Sequence, residues 1–432
     1  MGSALVFYSL FISQEENFMK KVIALLLVAA MVMSLAACNK GTTNEGGSEG
    51  GSAKSDFKVG VVLVGDENEG YTFAHIDGIK KAMKACGISD DQVVWFYSVP
   101  EDETCYDKCI QCVAQGCKLV ITNSYGHQSH AQLAASENPD VQFVAMTGDT
   151  AYKSGLKNFK NAFNKTYESR YVSGIVAGLK IKELVEAGKL TDKNYDENGN
   201  VKVGYVGAYP YAEVISGFTG FFLGIKSVYE KVVMDVTYTN SWFSYSDESQ
   251  AADMLMSRGC VIIGQHADSA GAPSACEAAL KAGTVVYSVG YNVDMLSVAP
   301  TAALTSSSND WSVYYTYAFK TAMAGQQIKT DWSEGYETGA VCITPLGASV
   351  AAGTKEAVDK AEAEIKAGTL HVFDINNFTV GGQKVTSALC FDSDGDFVYD
   401  KEEAIKDGYY HESDFISAPS FNMIIDGITT LN

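Results

Sequence analysis

The feature that most constrains this chain is a repeated alternation of short apolar runs with longer amphipathic segments. The first run, residues 59–65, has no polar alternation, is too short for a helix, and leads through a loop into a helical period. This pattern predicts a buried parallel strand that feeds a loop and a helix. Comparable strands are predicted at residues 93–97, 119–122, 141–146, 203–207, 232–238, 261–263 and 285–289. Strands and helices at this spacing predict an α/β protein with parallel, doubly wound sheets.

The alternation occurs in two blocks, and the second restarts after a polar stretch at residues 192–200. A chain of 432 residues is long enough for two domains with ordinary cores. We predict two lobes of similar build, with residues 166–295 as the second lobe, inserted within the first. Residues 57–165 and about 296–345 would form the first lobe, to which a helix at about 312–324 returns the chain. Residues 346–432 are predicted to be a C-terminal extension that packs on the lobes.

The amino terminus has the pattern of an export signal. Met19, Lys20 and Lys21 precede an apolar run at residues 22–33, which is too short to span a bilayer comfortably. Leu35-Ala36-Ala37-Cys38 then resembles a bacterial lipobox, which implies cleavage before Cys38 and lipid attachment to its sulfur. The alternative is a chance cysteine after an ordinary signal peptide. Residues 1–38 are therefore interpreted as a signal peptide, with a misassigned start before Met19, and the mature protein as lipid-anchored on the outer face of the cell membrane.

Residues 39–56 are small and polar, so they are predicted to form a flexible tether between the lipid and the fold. The formal net charge is −20, and no basic cluster lies outside the signal segment. Nucleic acid is therefore disfavoured as a partner, because its binding depends on neutralising phosphates.

Nine cysteines follow Cys38, an odd number that cannot pair completely within the chain. Cys105, Cys109 and Cys112 share one face of a predicted helix, which suggests either a metal site or thiols buried as small apolar groups. The second interpretation is favoured, because metal ligands usually come from separate elements or a tight knuckle. No metal or other cofactor is predicted.

A run of acidic residues near the carboxyl terminus resembles a calcium-binding loop. It comprises Asp392, Asp394, Asp396, Asp400 and Glu403, but Phe397 stands where such a loop needs glycine. A hairpin turn at Asp394 and Gly395 is the favoured interpretation.

Rings and polar groups follow the predicted strands of both lobes. Ligands bind at the carboxyl ends of strands in open α/β sheets, so these residues predict a cleft. Flat rings beside amides and carboxylates suit a heteroaromatic base or a sugar. Arg170 is the only strong cation near these loops, which disfavours a phosphate or free carboxylate ligand. The alternative for Tyr71 is that it merely packs the start of its helix. The predicted ligand-binding residues are Tyr71, Thr72, Ser124, Tyr125, Tyr209, Trp242, His266, Tyr291, Asp294 and Asn309.

Five segments carry a resemblance to a known family: residues 70–75, 168–171, 239–243, 264–269 and 290–295. Together they resemble the basic membrane protein family of ABC-transporter substrate-binding lipoproteins, and most closely its purine-base branch. The resemblance extends from about Phe57 to Pro345. It implies a type I periplasmic-binding-protein fold, with two Rossmann-like lobes that close around a hinge on a purine-type ligand. It also implies delivery of that ligand to a membrane permease and its ATPase.

The same resemblance assigns roles to three residues. Tyr71 corresponds to the aromatic residue that stacks on the base, and Asp294 to an acidic residue of the Gly-x-x-x-Asp loop. Asn309 stands where the nucleoside branch has a lysine, and it also replaces the aromatic residue expected in the base branch. The resemblance therefore leaves open whether the ligand is a purine base or a nucleoside.

Two other classes of function remain as alternatives. An enzyme such as a nucleoside hydrolase would need an acid/base pair, for which His75 and His266 with Asp294 are the candidates. The sequence has no phosphate-binding loop and no His-Glu-x-x-His motif, which disfavours this class. A ligand-sensing module that signals to a membrane partner is the other alternative, and the sequence does not separate it from transport.

Overall fold

The computed structural model, which describes residues 56–396 and 398–432, contains two large β-sheets that belong to two lobes. The first sheet has six parallel strands in the order β11-β5-β4-β3-β1-β2. Its strands are β1 Val59–Val62, β2 Val93–Phe96, β3 Leu119–Thr122, β4 Gln142–Met146, β5 Phe159–Ala162 and β11 Asp331–Trp332. The predicted α/β class is confirmed.

The second sheet has seven strands in the order β12-β10-β9-β8-β6-β7-β17, of which β12 alone runs antiparallel to its neighbour. Two further hairpins, β13 with β14 and β15 with β16, lie in the C-terminal extension. These strands are β6 Val201–Gly207, β7 Val232–Tyr238, β8 Ile262–Gln265, β9 Tyr287–Tyr291, β10 Ala303–Asn309, β12 Val341–Ile343, β13 Leu389–Phe391, β14 Lys401–Glu403, β15 Ile405–Lys406, β16 Tyr409–Tyr410 and β17 Ile428–Thr430.

Helices cover both faces of each sheet, so each lobe has two apolar layers. They are α1 Gly70–Cys86, α2 Glu103–Ala114, α3 Gln128–Glu137, α4 Ala151–Ser154, α5 Thr166–Glu186, α6 Ala212–Val228, α7 Tyr245–Ser257, α8 Gly271–Lys281, α9 Ser312–Met323 and α10 Thr354–Lys366. Among the residues that the structure describes, no helix is both long and apolar enough to cross a membrane.

Strand β1, which lies between β3 and β2, shows why its apolar run has no alternation. Val59 and Val61 pack into the layer that contains α1 and α9, whereas Val62 packs into the layer that contains α2. A Cβ atom on Gly60 would lie 2.4 Å from the Sγ of Cys112, so only glycine fits beneath that helix. The thiols of α2 lie in this apolar layer, which agrees with their interpretation as small buried groups.

The loop after β1 turns directly into α1. The carboxylate of Glu69 caps the helix by accepting hydrogen bonds from the backbone N–H groups of Tyr71 and Thr72, each at 2.9 Å. At the other end, Gly87 adopts a left-handed conformation with φ of 71° and its N–H bonds to the carbonyl of Met83. Tyr71 is thereby held in the first turn of α1, at the carboxyl end of β1.

Helix α5 joins the lobes and packs closely on α6. A Cβ on Gly174 would approach the carbonyl oxygen of Phe221 to 2.2 Å, and one on Gly224 would approach the carbonyl oxygen of Tyr171 to 2.0 Å. The two helix backbones can approach this closely only because both positions are glycine.

The described strands show the chain crossing between the two sheets at three places, after β5, after β10 and before β12. The division differs from the predicted boundaries at two strands, since β10 and β12 belong to the second sheet rather than the first. Helix α9 does return to the first lobe, where it packs against α1. Strand β10 contains the run Thr305 to Ser308, whose small polar side chains are buried, so hydrophobic periodicity could not reveal it.

Candidate functional site

A cavity of about 960 Å³ lies where the carboxyl ends of the two sheets face each other. The first lobe, the second lobe and the C-terminal extension all contribute to its lining. Its size is at the upper end of the range of about 300–1,000 Å³ that is usual for small-molecule sites. The predicted residues Tyr71, Ser124, Tyr125, Trp242, His266 and Tyr291 all line it.

In the first lobe, Tyr71 is fixed by its hydroxyl and by its ring. The hydroxyl donates a hydrogen bond to the carbonyl of Asn123 and lies 3.4 Å from the Oγ1 of Thr147. The ring meets His75 edge to face at 4.5 Å, and His75 stacks on Trp311 at 4.4 Å. Tyr71 therefore presents a preorganised ring to the cavity rather than only packing the start of α1.

Two hydrogen-bonded polar pairs lie beside Tyr71 on the first-lobe side of the cavity. The hydroxyl of Ser124 donates to the carboxylate of Glu101, and the hydroxyl of Tyr125 donates to Asp149 at 3.2 Å. Both hydroxyls follow β3, where the loop brings them to the carboxyl end of the sheet. The carboxylates that they bind line the cavity as well.

Rings of the two lobes meet across the cleft. Tyr125 of the first lobe lies 5.9 Å from Tyr211 of the second, measured between ring centroids. Tyr211 in turn lies 6.0 Å from Trp242, and Tyr209 stacks behind it at 5.1 Å. Sequence reasoning missed Tyr211, although it follows the predicted Tyr209 by two residues.

A buried polar group closes the second-lobe side of the cavity. Asp268 accepts a hydrogen bond of 2.6 Å from the side-chain amide of Asn292, and burial raises the pKa of its carboxyl well above the usual range. His266 lies 3.3 Å from the Oε1 of Glu213, and burial lowers the pKa of the imidazole. These four side chains combine hydrogen-bond donors and acceptors. They can therefore form hydrogen bonds with the polar atoms at the edge of a heteroaromatic ring.

Arg170 does not line the cavity but contacts Tyr291, which does. Its guanidinium lies 3.8 Å from the ring centroid of Tyr291 and donates a hydrogen bond to the carbonyl of Gln265. The side chain is only 2% exposed, so its charge is shielded from solvent. Arg170 thus supports one face of the Tyr291 ring by a cation–π contact.

Four predicted ligand-binding residues lie outside the cavity lining. Thr72 is buried and bonded to Asn123, and Tyr209 lies behind Tyr211. Asp294 is exposed and caps the backbone of Leu296, whereas Asn309 is buried at a lobe crossover. The acidic residue that lines the cavity near this loop is Asp268, which lies in a segment with recognisable similarity but was not singled out.

The cavity is strongly acidic. Among the described residues, one lysine lines it, Lys153, whose Nζ lies 3.7 Å from a carboxylate oxygen of Asp392. In the described part of the chain, seven lining residues carry carboxyl groups, namely Asp66, Glu69, Glu101, Asp149, Glu213, Asp268 and Asp392. A phosphate would be repelled here, whereas amino and hydroxyl donors would find acceptors.

The residues proposed for acid/base chemistry are not brought together. His75 is buried, bonded at 2.6 Å to the hydroxyl of Tyr315, and absent from the cavity lining, as is Asp294. Burial lowers the pKa of His75 to about 3, so it is neutral near neutral pH. His75 and Asp294 therefore do not form an acid/base pair with His266 in the cavity.

The acidic pattern near the carboxyl terminus forms the loop of the β13–β14 hairpin. One oxygen from each of Asp392, Asp394 and Asp396 lies within 4.8 Å of the others. Gly395 has a φ of 90°, in keeping with the predicted turn. Carboxylates at this spacing do not by themselves define a metal site.

Two doubly wound lobes that enclose a ring-lined cavity define a two-lobed solute-binding protein. Residues 57–374 match the family described as "ABC transporter substrate-binding protein PnrA-like", so the chain belongs to this family. Proteins of this family are the extracytoplasmic, substrate-binding parts of ABC transporters. The predicted membership of the basic membrane protein family is thereby confirmed.

Two relatives illustrate the match. A purine-binding protein of Brucella abortus is 30% identical over 329 residues, which cover 75% of this chain and 85% of the relative. The ABC transporter nucleoside-binding protein BmpA of Lactococcus lactis is 25% identical over 262 residues, which cover 58% of this chain and 66% of the relative.

A solved structure supports the fold alone. The ABC transporter solute-binding protein of Conexibacter woesei aligns with a TM-score of 0.57 at 21% identity. The alignment covers 73% of this chain and 98% of that protein. The predicted type I periplasmic-binding-protein fold is confirmed.

Proposed function

We propose that this protein binds a purine base or nucleoside in the cavity between its lobes, without chemical turnover, and delivers it to the permease and ATPase of an ABC importer. The observation that carries the proposal is the lining of the cavity, which combines the rings of Tyr71, Tyr211 and Trp242 with seven carboxylates. Rings bind the faces of a base, and carboxylates accept hydrogen bonds from amino groups and sugar hydroxyls. The names of the two relatives agree with this class of ligand.

The lipid anchor belongs to the same proposal. Cys38 and the rest of the signal and tether segment, apart from Asp56, lie outside the described residues. The lipobox pattern would place the protein on the outer face of the cell membrane, close to the permease.

Isothermal titration with adenine, guanine, hypoxanthine, adenosine, guanosine and inosine tests the proposal. We expect saturable binding of at least one of these compounds, which chromatography should recover unchanged. Adenosine monophosphate is the matched control, because its phosphate should be excluded by the acidic lining. The absence of heat with every purine, or conversion of a bound ligand, would overturn the proposal.

A further inference from the structure

The C-terminal extension reaches the cavity although it lies outside the family match. The match ends at residue 374, yet several later residues line the cavity. They come from two segments, the β13–β14 hairpin and the loop after β16, and comprise Phe391, Asp392, Tyr399, Ile416, Ala418, Pro419 and Asn422. This chain therefore has a cavity wall that the matched part of the fold does not supply.

We propose that this wall, defined by those seven residues, forms a subsite for the sugar ring of a nucleoside and makes the protein prefer nucleosides to free bases. The inference rests on the proposed function for the nature of the base. It goes beyond that function by assigning sugar recognition to the extension.

The wall is fixed to the first lobe by aromatic and polar contacts. Phe391 and Phe415 meet the ring of Tyr152 edge to face, at 5.4 and 4.8 Å between centroids. The backbone N–H and the hydroxyl of Ser417 both donate to Asp331, each at 3.0 Å. These contacts hold both segments against the first lobe, next to the cavity.

The wall is also fixed to the second lobe. The buried carboxylate of Glu412 accepts hydrogen bonds from the hydroxyl of Ser216 on α6 and from the backbone N–H of Ser420, the latter at 2.9 Å. Phe421 packs in the same buried cluster as Phe218 and Phe222 of α6, and strand β17 pairs with β7 at the sheet edge. A segment with contacts to both lobes is a built part of the site rather than a loosely attached tail.

The chemistry of the wall suits a hydroxylated ring. Tyr399 lines the cavity together with Tyr125 and Asp149. Burial, followed by the charge of Glu412, raises the pKa of its phenol. The side chains of Asp392 and Asn422 add a carboxylate and an amide. A ring face beside carboxylate and amide groups can pack on a sugar and bond its hydroxyls. The wall carries no cation of its own, so it would not favour a nucleotide phosphate.

Two variants of the full-length protein test the subsite. Tyr399→Ala removes the phenol ring of Tyr399 from the wall, and Asn422→Trp fills the subsite from an exposed position. The matched controls are Val398→Ala, which is 62% exposed, and Ile424→Trp, which is 36% exposed, because neither position lines the cavity.

Titration with adenosine, guanosine, adenine, guanine and ribose should show that the unmodified protein prefers nucleosides to bases. Both site variants should weaken nucleoside binding at least tenfold and base binding less than threefold, while both controls leave each affinity unchanged. Equal losses for base and nucleoside, or no loss for either, would overturn the sugar subsite while leaving purine binding intact.

A measurement without ligand keeps the inference separate from the proposed function. Trp242 and Trp311 line the cavity, so loss of the Tyr399 ring should increase quenching of tryptophan fluorescence by acrylamide relative to Val398→Ala. If the unmodified protein binds no purine, the proposed function fails. The difference in quenching between Tyr399→Ala and Val398→Ala then still tests whether the wall covers the cavity. Equal quenching in Tyr399→Ala and Val398→Ala would overturn the wall.

Discussion

The side-chain amide of Asn164 donates a hydrogen bond of 3.1 Å to the Oδ1 of Asn309, and these two residues lie on two of the three crossovers between the lobes. The same amide donates a bond of 3.0 Å to the carbonyl of Ala340 on the third crossover. Asn164 is fully buried, so these bonds are shielded from water. The side chain of Asn164 therefore connects the three crossover segments, which together we call the hinge.

The hinge bonds predict the effect of Asn164→Ala. Loss of two buried hydrogen bonds should lower the free energy of unfolding by about 1–3 kcal/mol, as measured by denaturant unfolding. It should also broaden the range of lobe orientations, so small-angle scattering should give a larger radius of gyration without ligand. In the unmodified protein the radius should decrease when a purine is added, because contacts with both lobes favour the closed state.

Asn158→Ala is the matched control for the hinge. Asn158 is also buried, but its amide bonds to the carbonyls of Ala135, Asn138 and Val141 within the first lobe. It should lower stability without changing the radius of gyration. Identical scattering for the two variants would contradict the role of Asn164 in the hinge.

Tyr71→Ala should weaken purine binding by about 1–3 kcal/mol, the range for a base stacked on an aromatic ring. Tyr71→Phe keeps the ring and should retain most of the affinity, although it loses the bond to the carbonyl of Asn123. Phe73→Ala is the control, since Phe73 is 47% exposed on the same helix and does not line the cavity. An unchanged affinity of Tyr71→Ala with a large drop in melting temperature would show that the residue is only structural.

Asp268→Asn should weaken binding of amino-bearing purines by at least fivefold, because a carboxyl group has two oxygens that can accept and an amide has only one, which the side chain of Asn292 already engages. The amide has the same shape, which limits the effect on packing. Asp294→Asn is the control suggested by the structure, since Asp294 is exposed and bonds to the backbone of Leu296. Titration of both variants with adenine and adenosine decides between them. A loss confined to Asp294→Asn would restore the role implied by the family resemblance.

His75 predicts a pH dependence of stability. Burial lowers its pKa to about 3 in the folded protein, against about 6.5 in the unfolded chain. Below pH 6.5 the unfolded chain binds a proton that the folded protein excludes. The contribution of His75 to the free energy of unfolding therefore falls with decreasing pH, by up to about 1.4 kcal/mol per pH unit between pH 6.5 and pH 3.

His75→Gln isolates this contribution, because glutamine can still bond to the hydroxyl of Tyr315. Denaturant unfolding between about pH 7 and pH 5 should show the unmodified protein losing stability relative to the variant as the pH falls. Parallel stability curves for the two proteins would show that the histidine is not buried as a neutral group.

Cys38→Ser should release the protein from the membrane fraction and leave purine affinity unchanged, because lipid would be attached through the thiol. Fractionation of cells followed by titration of the released protein measures both properties. Cys86→Ser is a suitable control, since Cys86 is a partly buried cysteine of α1. Continued membrane association of Cys38→Ser would indicate a different anchor.

The sequence alone determined the α/β class, the positions of most strands and the presence of rings at their carboxyl ends. These features follow from local signals, because a buried parallel strand needs an apolar run and a strand end in such a sheet leads to the ligand site. Tyr71, Tyr125 and Trp242 line the cavity for this reason. Strand β10 was not recognisable in the same way, since four of its buried residues, Thr305 to Ser308, are small and polar.

Only the tertiary structure decided which polar side chains face the cavity. Asp268 and Asp294 both follow strands of the second lobe, but loop conformation buries the first at the cavity and exposes the second. The wall that includes Tyr399 and Asn422 could not be predicted from the sequence either, because it depends on contacts between residues far apart in the chain. Periodicity reports the environment of an element, whereas a binding site is set by how distant elements pack together.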